Sequence, residues 1–189
     1  MEKLLRASNA INMVMDRIAM AFGWLFLALT AVIVFDVLSR NFGFQLPRMG
    51  STRLQELEWH VHTALFSFWL GIAYIKNAHV RIDVAFTNAA PRKKAWAELL
   101  GCVIFALPYT LVALYFSADF TWIAYVTNES SASANGLPWR WIPKSFITFG
   151  LLLLLLAVAS VLVRVIVQLF GPEELRERAA LFDASAKMT

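Results

Sequence analysis

The sequence predicts an all-α integral membrane protein. It has four transmembrane helices, short interfacial amphipathic helices and both termini in the cytoplasm. Three observations carry this. The chain is 59% hydrophobic and only 16% charged, where a soluble domain has about 25% charged residues. Its apolar residues fall into long uninterrupted runs. Its Lys and Arg fall unevenly between the connections.

The runs set the elements, because a bilayer core about 30 Å thick needs roughly 20 apolar residues as helix. Residues 18–35 are 18 positions without a charge. Residues 99–118 give 20 more, and 145–163 give 19. The run at 63–75 is shorter and reaches spanning length only with its polar entry around Glu58–His62. The helices are expected at about 15–40, 57–78, 95–126 and 144–170, in a single membrane domain 1–189 with a cytoplasmic tail at 171–189. The first run exceeds the usual 7–15 residues of a signal-peptide core. It is followed by Asp36, Ser39 and Arg40 rather than a small-residue cleavage site. It reads as a retained helix.

Orientation follows from basic residues. The N-terminal side, the second connection and the C-terminal side hold twelve of the seventeen Lys and Arg, among them Lys93, Lys94 and Arg176. The other face holds Arg40, Arg48, Arg53, Arg140 and Lys144. Both termini and the loop 77–94 are therefore expected in the cytoplasm. The formal net charge of +4 suits contact with anionic lipid and calls for no nucleic acid. Trp122, Tyr125, Trp139 and Trp141 flank the outer connection, where amphipathic rings favour the headgroup layer. Cys102 is the sole cysteine, so no intrachain disulfide forms.

The third helix is long and contains Pro108, which removes a backbone donor and predicts a kink. Arg164 is expected to snorkel towards cytoplasmic headgroups. Ser67/Gly71 and Ala97/Gly101 have the spacing that lets helices approach closely. The helix centres offer Thr30, Ser67, Thr110 and Ser160, which read as back-bonded hydroxyls. An embedded ion path needs ionisable groups facing the interior, and these centres carry none. The sequence also lacks a Walker loop, a nucleophile elbow and a zinc-ligand cluster. It reads as a packing and positioning subunit rather than an enzyme, with no cofactor or metal of its own.

The entry to the second helix, LQELEWHVHTALFSFWLG, places Glu56, Glu58, His60 and His62 at alternate positions. On a helix, residues two apart point about 200° apart while residues four apart nearly align. Glu56 then shares a face with His60, and Glu58 shares the opposite one with His62. One ion held by all four is disfavoured, and a two-ligand site completed by another helix stays open. The favoured reading is an interfacial helix start that partly faces a protein partner, with Glu56 towards protein and Glu58 towards lipid headgroups or water. Residues 48–57 are expected to form a short surface helix.

Three segments carry a family resemblance: DVLSRNF at 36–42, LQELEWHVHTALFSFWLGIAY at 54–74 and HVRIDV at 79–84. They resemble the DctQ-like small membrane subunit of tripartite ATP-independent periplasmic (TRAP) transporters. The resemblance implies a division of labour in a bacterial inner-membrane complex. A periplasmic binding protein captures an organic acid. A large DctM-like membrane subunit carries it together with sodium. The small subunit braces the large one. Subunit-contact or structural candidates are Asp36, Arg40, Glu56, Glu58, Gly71, His79, Arg81 and Asp83. Two other readings stay open at this stage. One is a haem-bearing anchor of a redox complex, which wants axial histidines on facing helices. The other is a stand-alone small transporter or membrane-shaping protein.

Overall fold

The computed structural model describes residues 1–44, 49–78 and 89–179. Among these residues every regular element is a helix and there is no β-strand. The helices are α1 (Glu2–Gly23), α2 (Leu25–Phe42), α3 (Ser51–Ile75), α4 (Pro91–Gly101), α5 (Leu107–Val126), α6 (Trp141–Phe170) and α7 (Glu173–Ala179), with a π-helical segment at Cys102–Ala106.

Among the described residues, three helical runs are long and apolar enough to cross a membrane: Glu2–Phe42, Pro91–Val126 and Trp141–Phe170. The expected second span is not among them. Its helix, α3, has 25 residues, but Arg53, Glu56, Glu58, His60 and His62 make its first half polar. The first helix begins thirteen residues earlier than expected. Only Trp24 separates α1 from α2, and its backbone stays helical (φ −63°, ψ −22°). The amphipathic start of α1 carries Lys3, Arg6 and Asp16, so it does not read as an apolar run. Residues 51–57, expected to belong to a separate surface helix, are the first two turns of α3.

Pro108 alters the hydrogen bonding of its helix. Lacking an N–H, it cannot bond the carbonyl of Ile104. The helix widens just before it, and the Leu107 N–H reaches back to the Cys102 carbonyl. Such π-bulges are a known cause of kinks. Gly43 ends α2 in the left-handed conformation (φ 73°), its N–H bonded to the Ser39 carbonyl. A Cβ is unfavourable in that conformation.

The chain divides into two compact units. The first contains Met1–Asp16, Gly71–Val112 and Leu153–Thr189. Its core holds Ala95, Cys102, Val161, Val165 and Leu169, with Tyr74 and Ile75 against them. A second cluster joins Leu5, Val167 and Ala179, with Leu175 packed on it, so α7 docks through its apolar side. The second unit contains Arg17–Leu70 and Ala113–Leu152. There Phe22 stacks on Phe68 with ring centroids 3.7 Å apart. Trp69 Nε1 donates to the Ala19 carbonyl at 2.9 Å. Ser117, Thr121 and Thr148 share hydroxyl hydrogen bonds of 2.9 and 3.0 Å. Exposed aromatics such as Phe105, Tyr109, Tyr115 and Trp122 form the kind of apolar surface that lipid or a partner covers.

Candidate functional site

The site is built where α2 ends and α3 begins, within the second unit. Asp36 and Arg40 lie one turn apart near the end of α2, the spacing at which side chains meet. Arg40 Nη2 stands 2.8 Å from Asp36 Oδ2. This is not the exposed pair that i,i+4 spacing alone would suggest. The Asp36 side chain is 0% exposed while that of Arg40 is 50% exposed. Ser51 Oγ, at the first residue of α3, donates to Asp36 Oδ1 at 3.2 Å. Ser39 Oγ donates to the Asp36 carbonyl at 2.9 Å. The buried carboxylate thus ties the end of one helix to the start of the next.

Glu56 and Glu58, two residues apart on α3, meet different surroundings, as their helical spacing requires. Glu56 is held by the connection between α5 and α6. Its carboxylate accepts hydrogen bonds from Ser131 Oγ and the Leu137 N–H, and Arg140 Nη2 lies 3.4 Å away. Arg53 Nε donates to the Asn135 carbonyl at 3.1 Å, one turn before Glu56. Glu56 sits just ahead of the expected second span. Burial pushes its carboxyl upwards. The Leu137 N–H, the Ser131 hydroxyl and the Arg140 charge outweigh burial and leave it below its ordinary value of 4.5. Hydrogen bonds made to the charged form act in that direction.

Glu58 has no such cradle. Its Oε1 is buried and has no hydrogen-bond partner among the described residues. The side chain lines an open cleft of about 410 Å³ together with Leu29, Ile33, Trp59, His62 and Thr63. Among the described residues no three His, Cys, Asp or Glu side chains are placed to hold a metal ion.

Residues 29–168 match the family described as tripartite ATP-independent periplasmic transporters, DctQ component. The match covers well over half of the 189 residues. The chain belongs to the DctQ family. Neither a curated protein nor a solved structure matches it. As a DctQ-family chain it is a component of a transporter, and its long apolar helices are those of a multi-pass membrane protein.

The remaining candidates divide between packing and undescribed sequence. Gly71, on α3, lies against α6: a Cβ there would stand 3.0 Å from the Leu153 carbonyl oxygen and 3.3 Å from Met15 Sδ. The other small pair, Ala97/Gly101, makes no such approach at its glycine, because a Cβ at Gly101 would meet nothing within 4 Å. Small residues recur by chance at this spacing, and here no helix lies opposite Gly101. His79, Arg81 and Asp83 lie outside the described residues.

A second polar group in this DctQ-family chain was not visible in the apolar runs. In the first unit, Ser160 Oγ lies 2.8 Å from Ser8 Oγ and donates to Asn12 Oδ1 at 2.7 Å. Arg164 Nε donates to Ser8 Oγ at 3.0 Å, and its Nη2 donates to Asn9 Oδ1. Arg164 is thus engaged by α1, where snorkelling to headgroups was expected. The signal was the four-residue spacing of Ser8, Asn12 and Asp16, which places all three on one face of a helix. Of the hydroxyls read as back-bonded, Thr30 donates to the Phe26 carbonyl at 2.8 Å and Thr110 to the Ala106 carbonyl at 2.6 Å. Ser160 instead serves α1.

Proposed function

We propose that this chain is the small scaffold subunit of a TRAP transporter in a bacterial inner membrane. It braces a large DctM-like membrane subunit and supports sodium-coupled uptake of an organic acid delivered by a periplasmic binding protein. The family match over residues 29–168 carries this reading. On it, α3 is a fourth span, entered through the polar turns around Glu56–His62, and both termini lie in the cytoplasm. The sodium and substrate sites belong to the large subunit.

Two features support a bracing role. Three of the hydroxyls on the helices, those of Thr30, Thr148 and Ser160, are spent on their own backbone or on neighbouring helices. Large apolar side chains on α2, the π-helical segment and α5 remain exposed, among them Phe26, Val37, Phe105 and Tyr109. Without a partner, such faces meet only lipid.

The test is reconstitution. The large subunit is placed in proteoliposomes with and without this chain, with the binding protein and an inward sodium gradient supplied. Uptake of the organic acid that requires all three proteins and the gradient is the expected result. Uptake of equal rate without this chain, or flux through this chain alone, overturns the reading.

A further inference from the structure

The two carboxylates at the start of α3 differ in what the chain provides for them. Glu56 is fully served by Ser131, Leu137 and Arg140. Glu58 presents a buried oxygen that no donor among the described residues reaches. Arg40 is 2.8 Å from Asp36 and is paired there. A buried carboxylate oxygen left without a hydrogen bond is costly, and a donor from a partner would remove that cost.

The cleft over Glu58 says what form the donor takes. Its volume is about 410 Å³ and its walls include Leu29, Ile33 and Thr63. Trp59, on its border, is 73% exposed. Leu29 and Ile33 lie well inside the apolar run 18–35, so the cleft extends along an apolar helix face. A lysine or arginine suits this shape. Its methylene stem packs on apolar walls while its charged head reaches the carboxylate.

We infer that the Glu58 cleft receives a lysine or arginine side chain from a membrane helix of the large transporter subunit. This rests on the scaffold reading above. It reverses the expectation that Glu56 faces the partner, because Glu56 is already occupied by this chain's own outer connection.

The test uses the full chain, tagged and co-expressed with the large subunit, as wild type and as Glu58→Gln. Two quantities are read: recovery of the complex, and thermal stability of this chain purified alone. Glu58→Gln is expected to lower recovery about tenfold, as for truncation of one partner in a buried charge pair. The isolated chain is expected to be equally stable or more stable, because the variant removes a charge whose buried oxygen has no partner among the described residues. The opposite directions separate a docking group from a structural one. Ile33→Phe, which fills the cleft and leaves Glu58 intact, is expected to lower recovery as well.

Full recovery with Glu58→Gln overturns the inference while leaving the scaffold reading standing. Equal loss of complex and of isolated-chain stability also overturns it, as a structural role. If the variant keeps the complex but loses a phosphatidylethanolamine seen by native mass spectrometry on the wild type, the cleft holds a lipid ammonium and the inference fails. If the wild type itself does not co-purify, the scaffold reading falls and the inference with it.

Discussion

Gly150 on α6 lies directly on Ser67 of α3: a Cβ at Gly150 would stand 2.6 Å from the Ser67 carbonyl oxygen and 2.8 Å from its Cβ. Real Cβ atoms do not approach backbone so closely, so the helices touch there only because residue 150 has no side chain. Gly150→Ala is therefore expected to destabilise the chain by about 1–3 kcal/mol through overpacking. Gly101→Ala is the control. It meets open space and gains up to about 1 kcal/mol of helix propensity. Thermal unfolding of both variants in detergent measures the contrast. A Gly150→Ala protein as stable as the wild type would show that α3 and α6 do not pack this closely.

Glu56 carries a second prediction. Glu56→Ala should release the 127–140 connection, seen as faster cleavage there in limited proteolysis with the helices intact. Glu56→Gln should be intermediate, because an amide still accepts from Leu137 but loses the Arg140 charge. The pH dependence has a definite sign. The folded carboxyl lies below its ordinary value of 4.5, so the stabilisation is complete above that value. It is lost as the pH falls below 4.5 through the folded value. Protection of the connection should fall over that window in the wild type and stay flat in Glu56→Gln. A flat profile in both would show that Glu56 does not hold the connection.

The outcome at Glu56 also shows how far the sequence could be read. Local spacing sufficed where partners are near in the chain. Asp36 and Arg40 meet as i,i+4 neighbours, Pro108 disturbs its helix, and Glu56 and Glu58 diverge. It failed where partners are distant. Nothing near Glu56 announces Leu137, 81 residues on. Nothing near Arg164 announces Ser8, 156 residues away. The start of α1 was missed for a different reason: its polar residues interrupt the apolar run by which a span is found. Within that start, Ser8 and Asn12 are polar because they face Ser160 rather than lipid.

That contact supplies a third prediction. Ser8→Ala adds no bulk and removes the hydroxyl that serves both Ser160 and the Arg164 guanidinium. The loss should be about 1–3 kcal/mol, since it leaves buried polar groups unpaired. Asn12→Leu should act in the same direction. Ser8→Thr, which keeps the hydroxyl, should restore most of the stability. Thermal unfolding compares the three variants, and an unaffected Ser8→Ala protein would show that α1 is not held at Ser160 and Arg164.

The last prediction concerns the buried pair that joins α2 to α3. Arg40→Ala leaves Asp36 fully buried with Ser51 as its remaining side-chain donor. Breaking a fully buried pair costs about 3–5 kcal/mol. Water reaches half of the Arg40 side chain, so screening lowers the expected cost to about 2 kcal/mol. Asp36→Asn should cost less, because a neutral amide needs no counterion and can still accept from Ser51. The decisive variant combines the two. If the cost of Arg40→Ala comes from stranding a buried negative charge, Asp36→Asn in the same chain should recover most of it. The double-mutant cycle should then show coupling well beyond the few tenths of a kcal/mol expected of independent sites. Additive losses would instead mean that Arg40 acts through its exposed half, towards lipid phosphate or the large subunit. In that case Arg40→Ala should lower recovery of the complex without lowering the stability of the isolated chain.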